Sequence, residues 1–185
     1  MPEALYFTDS DEANELIAKE PLALLIGFAL DQQVTVQTAF AGPLKLKQRV
    51  GPLDAAAIAS MDPQVLEDAF RQRPGIHRFP SSMARRVQDL CAFVAEEYDG
   101  EAERVWTDAT DAADLRRRIA ALPGFGKMKV TALGSVLALR FGVEAAAELV
   151  PDHPTLGGVD SSEALAEYQA KKRAHKASLR AAQTA

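Results

Sequence analysis

Residues 122–142 read LPGFGKMKVTALGSVLALRFG, and the first of them have types and spacing suited to holding an anion. Pro123 lacks a backbone donor, and Gly124 and Gly126 carry the backbone entropy that disfavours a helix interior. The residues on both sides nevertheless have helical character. A tight Gly-x-Gly turn between two helices aims its own N–H groups and the unpaired first-turn donors of the second helix in one direction, at the positive end of that helix's dipole. Such a cluster of donors fits a phosphate oxygen. Gly124 and Gly126 allow a sharp turn and the close approach of a ligand backbone around Phe125, while Lys127 and Lys129 add positive charge. An ordinary helical hairpin with a glycine connector has the same local pattern.

Other basic residues gather in one further place. Arg73, His77, Arg78, Arg85 and Arg86 lie in and after RPGIHRFP, and Lys127, Lys129 and Arg140 follow the glycine turn. Acidic residues crowd elsewhere, between Asp9 and Glu20, Glu96 and Glu103, and Glu144 and Glu148. With 21 Lys+Arg against 26 Asp+Glu the net charge is −5, which speaks against a uniform nucleic-acid coat but leaves room for one basic face. Lys171 to Arg180 reads as a solvated helix face, with His175 on the surface and His77 as a loop contact. The single cysteine, Cys91, excludes an intrachain disulfide, and no Cys/His spacing suits zinc, so no metal site is expected. Cys91 falls among recurring apolar side chains and reads as a small buried hydrophobe.

The elements that must position these residues are helices. Aromatics are only 6% of a chain that is 48% apolar and rich in alanine, and no β alternation of useful length occurs. Ser10-Asp11-Glu12 caps a first helix. Pro21 opens a second, apolar on all sides through Leu30 and therefore central to the core. Thr35 to Val50 predicts a helix bent or broken near Gly42-Pro43. Two short helices follow at Asp54–Ser60 and Pro63–Arg71. Arg73 to Ser82 is a loop, and Ser81 or Ser82 caps a long helix to Glu97. Asp111 or Asp114 starts the helix that ends at Leu122. Pro151 to Gly158 is a second loop, and a polar helix spans about 160–183. The expected organisation is one all-α domain over 1–185, with its core at about 20–142 and the hairpin at about 112–140.

The hairpin, Leu122-Pro-Gly-Phe-Gly126 with Thr131-Ala132 after it and Phe141-Gly142 at its close, resembles the helix-hairpin-helix of the HhH-GPD superfamily of base-excision DNA glycosylases (endonuclease III-like). LLIGFALDQQVT, Leu24 to Thr35, is similar to that family's first core helix and its Gln-rich turn. GIHRFPSSMARRVQDLCAFV, Gly75 to Val94, resembles its next segment. The three segments stand in the family's order.

The resemblance implies two helical lobes flanking a cleft, a hairpin that grips the DNA backbone, and a base flipped out of the stack to expose its glycosidic bond. It implies that Gln33, with Gln32 beside it, fills the hole left by the flipped base. The catalytic aspartate implied by the family's Val-Asp-x-His context is Asp152, in Val150-Pro-Asp152-His153, with Asp160 as its rival. Asp160 with Glu163 also reads as a cap of the last helix. The DNA contacts implied are Gln32, Gln33, Gly124, Phe125, Gly126, Lys127 and Lys129.

The bifunctional branch places a Schiff-base lysine two residues after the second glycine, where this chain has Met128. Lys127 and Lys129 are each rotated by about 100° from that position, toward phosphate or solvent. The implied activity is thus that of a monofunctional glycosylase without lyase chemistry. The four cysteines of the family's iron–sulfur branch are missing, so no such cluster is expected; a monovalent cation on the hairpin carbonyls is the one bound ion the resemblance suggests. A non-catalytic hairpin module for distorted DNA is the alternative function, and a helical scaffold for protein or RNA is a third. The longest apolar run, Pro21 to Leu30, is shorter than the roughly 20 residues a bilayer requires. The acidic N-terminal segment lacks a signal peptide's basic region. The expected protein is a cytoplasmic, nucleoid-associated monomer acting on double-stranded DNA with a damaged or mispaired base.

Overall fold

Side chains just ahead of the helices set most of their starts. Ser10, Thr35, Asp54, Asp62 and Asp111 each accept a hydrogen bond from a first-turn N–H, opening α1 (Asp11–Lys19), α3 (Val36–Val50), α4 (Ala55–Ser60), α5 (Pro63–Arg71) and α8 (Ala112–Ala121). Proline at the first helical position opens α2 (Pro21–Leu30) and α6 (Pro80–Tyr98), where its missing donor would be unpaired anyway. The remaining helices are α7 (Arg104–Thr107), α9 (Lys127–Phe141) and α10 (Ser162–Thr184), with short 3₁₀ segments at Glu144–Leu149 and Leu156–Gly158. This computed structural model describes residues 1–184, and no strand occurs among the described residues.

Several boundaries differ from the sequence expectation. The α3 helix runs unbroken through Pro43. An interior proline costs about 3 kcal/mol in lost hydrogen bonding and strain, and burial of Gly42, Pro43 and Leu46 offsets it. A Cβ on Gly42 would lie 2.5 Å from Leu30 Cδ1, and one on Gly27 would lie 2.4 Å from Phe40 Cδ1. The two glycines therefore let α2 and α3 approach closely, and continuing the helix keeps that contact. The start of α6 is set by Pro80 rather than by Ser81 or Ser82. The α7 turn was not foreseen, and the expected loop at 151–158 folds partly into a 3₁₀ turn. Ser161, not Asp160, caps α10, its Oγ accepting from Ala164 N–H at 3.1 Å.

Two groups of helices pack around two central rods. Every residue of α2 from Leu22 to Leu30 is buried, with α1, α3 and α6 against it, and α4 and α5 on α6. Phe7 and Phe28 both meet the Phe40 ring edge-on at 5.0 Å, geometry favoured by ring quadrupoles. The second rod, α9, carries α8 and both 3₁₀ segments. A Cβ on Gly134 would meet Leu149 at 2.5 Å, and one on Gly157 would meet Ser135 Oγ at 2.4 Å, so the segment bearing residues 150–158 is fixed tightly to α9. The buried cluster extends from Leu5 to Leu165. Cys91 lies inside it, and burial, with Asp54 nearby, pushes its thiol up to about 12.

Candidate nucleic-acid interface

The hairpin turn is built around one residue that must be glycine and one that need not be. Gly124 has φ +81°, in the left-handed region that L side chains rarely adopt, and a Cβ there would lie 3.0 Å from Arg86. Gly126 has φ −85°, which any residue accepts, and a Cβ there would meet nothing within 4 Å. The fold itself makes no demand for glycine at 126. Gly126 begins α9 without a side-chain cap, leaving the first-turn amides to an outside acceptor. Phe125, expected at the DNA, turns inward instead and is only 6% exposed. Its apolar ring anchors the turn to the core, so any DNA contact at Phe125 falls to the backbone of the turn.

The Gln-rich turn is held from two sides. His77 is buried; its Nδ1 accepts from Phe79 N–H at 3.1 Å, so Nε2 carries the proton. Nε2 donates to the carbonyls of Leu30 and Gln32, each at 3.1 Å. Burial lowers the pKa of this ring, keeping it neutral. From the other side, the Arg86 guanidinium on α6 donates to Gln32 Oε1 while its stem lies against Gly124. Arg86 thus joins the Gln turn to the hairpin turn. Gln33, next in line, has φ +56°, is exposed, and makes no side-chain hydrogen bond among the described residues. A non-glycine residue held there, with its side chain free, is the kind of local strain that collects at functional sites.

Asp31 was not singled out from the sequence, although a signal was present. It ends α2 at the negative pole of the helix dipole, where a carboxylate is disfavoured. Burial pushes its carboxyl above the usual range, against the pull of Lys172 and Lys129. Lys129, expected to face phosphate or solvent, is half-buried. Its Nζ donates to Ala29 O at 3.3 Å and stands 5.7 Å from the Phe125 ring centroid. Burial first, then Arg86, lowers its ammonium to about 8. No ion pair within 4 Å joins Asp31 to either lysine among the described residues. From α10, Tyr168 and Lys172 close this seam, and Gln169 exchanges amide hydrogen bonds with Gln37 at 2.8 and 3.3 Å.

The aspartates expected to do chemistry lie outside this seam's dry part. Asp152 and Asp160 are both exposed and form no side-chain hydrogen bond among the described residues. His153, beside Asp152, stacks on His175 of α10 at 6.3 Å and 14°. Lys127 and Met128 are exposed, Met128 by 82%. The structure therefore brings together Gln32, Gln33, Gly124, Gly126, Lys129, Arg86 of the basic segment and the unforeseen Asp31.

No curated protein and no solved structure matches the chain. The family of HhH-GPD superfamily base excision DNA repair proteins does match, over residues 26–173, a span that takes in the Gln turn, the His77 loop, the hairpin and the start of α10. With four-fifths of the chain matched and each of those segments in its place in an all-helical fold, the protein belongs to the HhH-GPD superfamily of base excision DNA repair proteins, which bind DNA.

Proposed function

We propose that the protein is a monofunctional DNA glycosylase, hydrolysing the N-glycosidic bond of a damaged or mispaired base flipped out of duplex DNA. The observation that carries this reading is the Arg86 bridge, which couples the exposed Gln33 turn to the open amides at Gly126. A backbone grip and a space-filling glutamine held in fixed relation are what flipping requires. In this reading Gln33 enters the stack, its amide offering a donor and an acceptor to the orphaned partner base. The Gly126–Lys127 end of α9 takes a phosphate.

The chemistry needs a carboxylate near the anomeric carbon. As the bond breaks, the base departs with the bonding electrons and an oxocarbenium charge develops on the sugar; water then adds and gives up a proton. Asp31 suits this role better than Asp152 or Asp160, because a partly dehydrated carboxylate acts on a developing cation with less screening than an exposed one. The reaction is hydrolytic and calls for no redox group.

Release of free base from a panel of lesion-bearing and mismatched duplexes tests the proposal. The parent protein releases a base from at least one member, and Asp31→Asn loses that activity while Asp152→Asn and Asp160→Asn keep it. Loss with Asp152→Asn alone returns the catalytic role to the 150–158 segment. The exposure of Asp152 and Asp160 favours a second reading, a non-catalytic module that recognises distorted DNA. Duplex binding without base release from any substrate would establish that one.

A further inference from the structure

The α10 helix continues well past the body it packs on. Leu165 is buried, Tyr168 and Gln169 are half-buried, and every residue from 170 to 184 is exposed. His175 still meets the body, its ring stacked on His153; beyond it, at 1.5 Å per residue, residues 176–184 leave about 14 Å of helix standing free. The family match ends at residue 173, so most of the projection lies beyond the matched segment. Its charge is of one sign. Lys171, Lys172, Arg173, Lys176 and Arg180 lie on it, and no aspartate or glutamate follows Glu167.

The cations are ordered on the helix. Leu165, Tyr168, Gln169 and Lys172 share one face, by their i, i+3, i+4 and i+7 spacing, and this face meets the seam near Asp31 and Gln37. The same face continues outward as Lys172, Lys176 and Arg180, with Arg173 beside Lys176. Its inner end, at Tyr168 and Lys172, lies beside Asp31, two residues from Gln33. Like charges at i, i+4 destabilise a helix, and an unsupported helix of this length is marginal in water. An ordinary solvated face interleaves carboxylates with its lysines. This one does not, and an array of anions would relieve its like-charge repulsion. Its single large apolar side chain is Leu179, 52% exposed, which is too little apolar surface to seat a protein.

We infer that the exposed end of α10 is a backbone-tracking arm that lies along duplex DNA flanking the bound site, with Arg173, Lys176 and Arg180 each on a phosphate. The inference rests on the DNA-facing side assigned under the proposed function. It does not depend on the base being cleaved.

The test is the salt dependence of binding by the full-length chain carrying Arg173→Gln, Lys176→Gln and Arg180→Gln, against the parent, on a duplex extending well beyond the site. Lys172 is left in place because it belongs to the seam. Each phosphate contact contributes about 0.9 to the log–log slope, so the triple variant should lower its magnitude by about 2 to 3. Affinity at 0.1 M salt should fall by a factor on the order of a hundred. The pair Arg173→Lys and Arg180→Lys should keep the parent slope, since counterion release counts charges. An unchanged slope in the triple variant overturns the arm. So does an unchanged slope with an altered sedimentation coefficient, which would give the stripe to the acidic surface of a second copy. If the parent shows no salt-dependent duplex binding, both readings fail. If the slope falls as expected but no base is released from any substrate, the arm stands and the glycosylase reading falls.

Discussion

Asp31 and Asp114 both lie at helix ends, and the protein treats them in opposite ways. Asp114 sits in the first turn of α8, at the positive pole of the dipole. One of its oxygens accepts from Arg118 Nε at 2.9 Å and Thr110 N–H at 3.1 Å, and the other accepts from Arg117. The Arg118 hydrogen bond, with Thr110 and Arg117 behind it, holds this carboxyl down to about 2. Asp31 sits at the negative pole of α2, and burial raises its pKa. Its neighbour Lys129 is shifted down to about 8, also chiefly by burial. At α8 the charges are arranged in favour of the folded state. At the seam they are held against it, and groups so held are characteristic of places where a ligand completes the arrangement.

Substituting the two seam charges and their α8 counterpart tests that contrast directly, and the largest effect is expected at Asp31. Asp31→Asn should lower single-turnover base release by roughly 10²–10³, the scale of losing one stabilising group at a developing charge, while raising the melting temperature at pH 7. The folded-state pKa is raised, so the native carboxyl binds its proton more readily than the unfolded one. The parent's stability therefore improves as pH falls through that value, and the gap to the variant closes below about pH 4. A lower melting temperature for Asp31→Asn at pH 7 would make the residue a structural one, like Asp114.

Next in size is Gln33→Ala, which should reduce base release from duplex by roughly 10–100-fold while leaving single-stranded substrate nearly unaffected, because only the duplex must be unstacked. Equal losses on both would reduce Gln33 to a turn residue.

Lys129→Met keeps the stem and removes the disfavoured charge, and should raise the melting temperature by a few degrees at pH 7. Here the folded pKa is lowered, so the unfolded lysine holds its proton to higher pH than the native one. Parent stability should rise between about pH 8 and the ordinary lysine value of 10.5, and the variant's advantage should vanish over that range. A constant advantage across it would mean that the ammonium is better solvated than its position implies.

The smallest effect is expected from Asp114→Asn, a loss of a few degrees at pH 7 with base release unchanged. Its folded pKa is depressed, so the contribution is present above 3.8 and lost as pH falls toward 2, where the two proteins should melt alike. A fall in base release would connect α8 to the seam and blunt the contrast.

Much of the fold was legible because it is written in local signals. Capping side chains, first-position prolines and the uniformly apolar Pro21–Leu30 run mark helices without reference to the rest of the chain. The hairpin was legible for the same reason, since Gly124 needs its positive φ whatever surrounds it, whereas the Gln turn was legible only through its resemblance to the family. What local signals leave open falls where distant residues intervene. Pro43 stays helical because Gly42 must meet Leu30. Phe125 and Lys129 turn inward because α2 offers a core and a free Ala29 carbonyl. Asp31 carried a readable anomaly, an acid ending an apolar helix, but its partners come from α9 and α10, about a hundred or more residues away.

By itself, the sequence determined the helices, their order and the glycine turn, because each depends on backbone preference and hydrogen bonds within a few residues. Only the tertiary structure decided which charges share the seam and which stand in water. Arg86 reaches Gln32 across 54 residues of sequence, and the pKa shifts of Asp31 and Lys129 arise chiefly from desolvation. Desolvation is a property of everything that packs around a group, and no local pattern of residues encodes it.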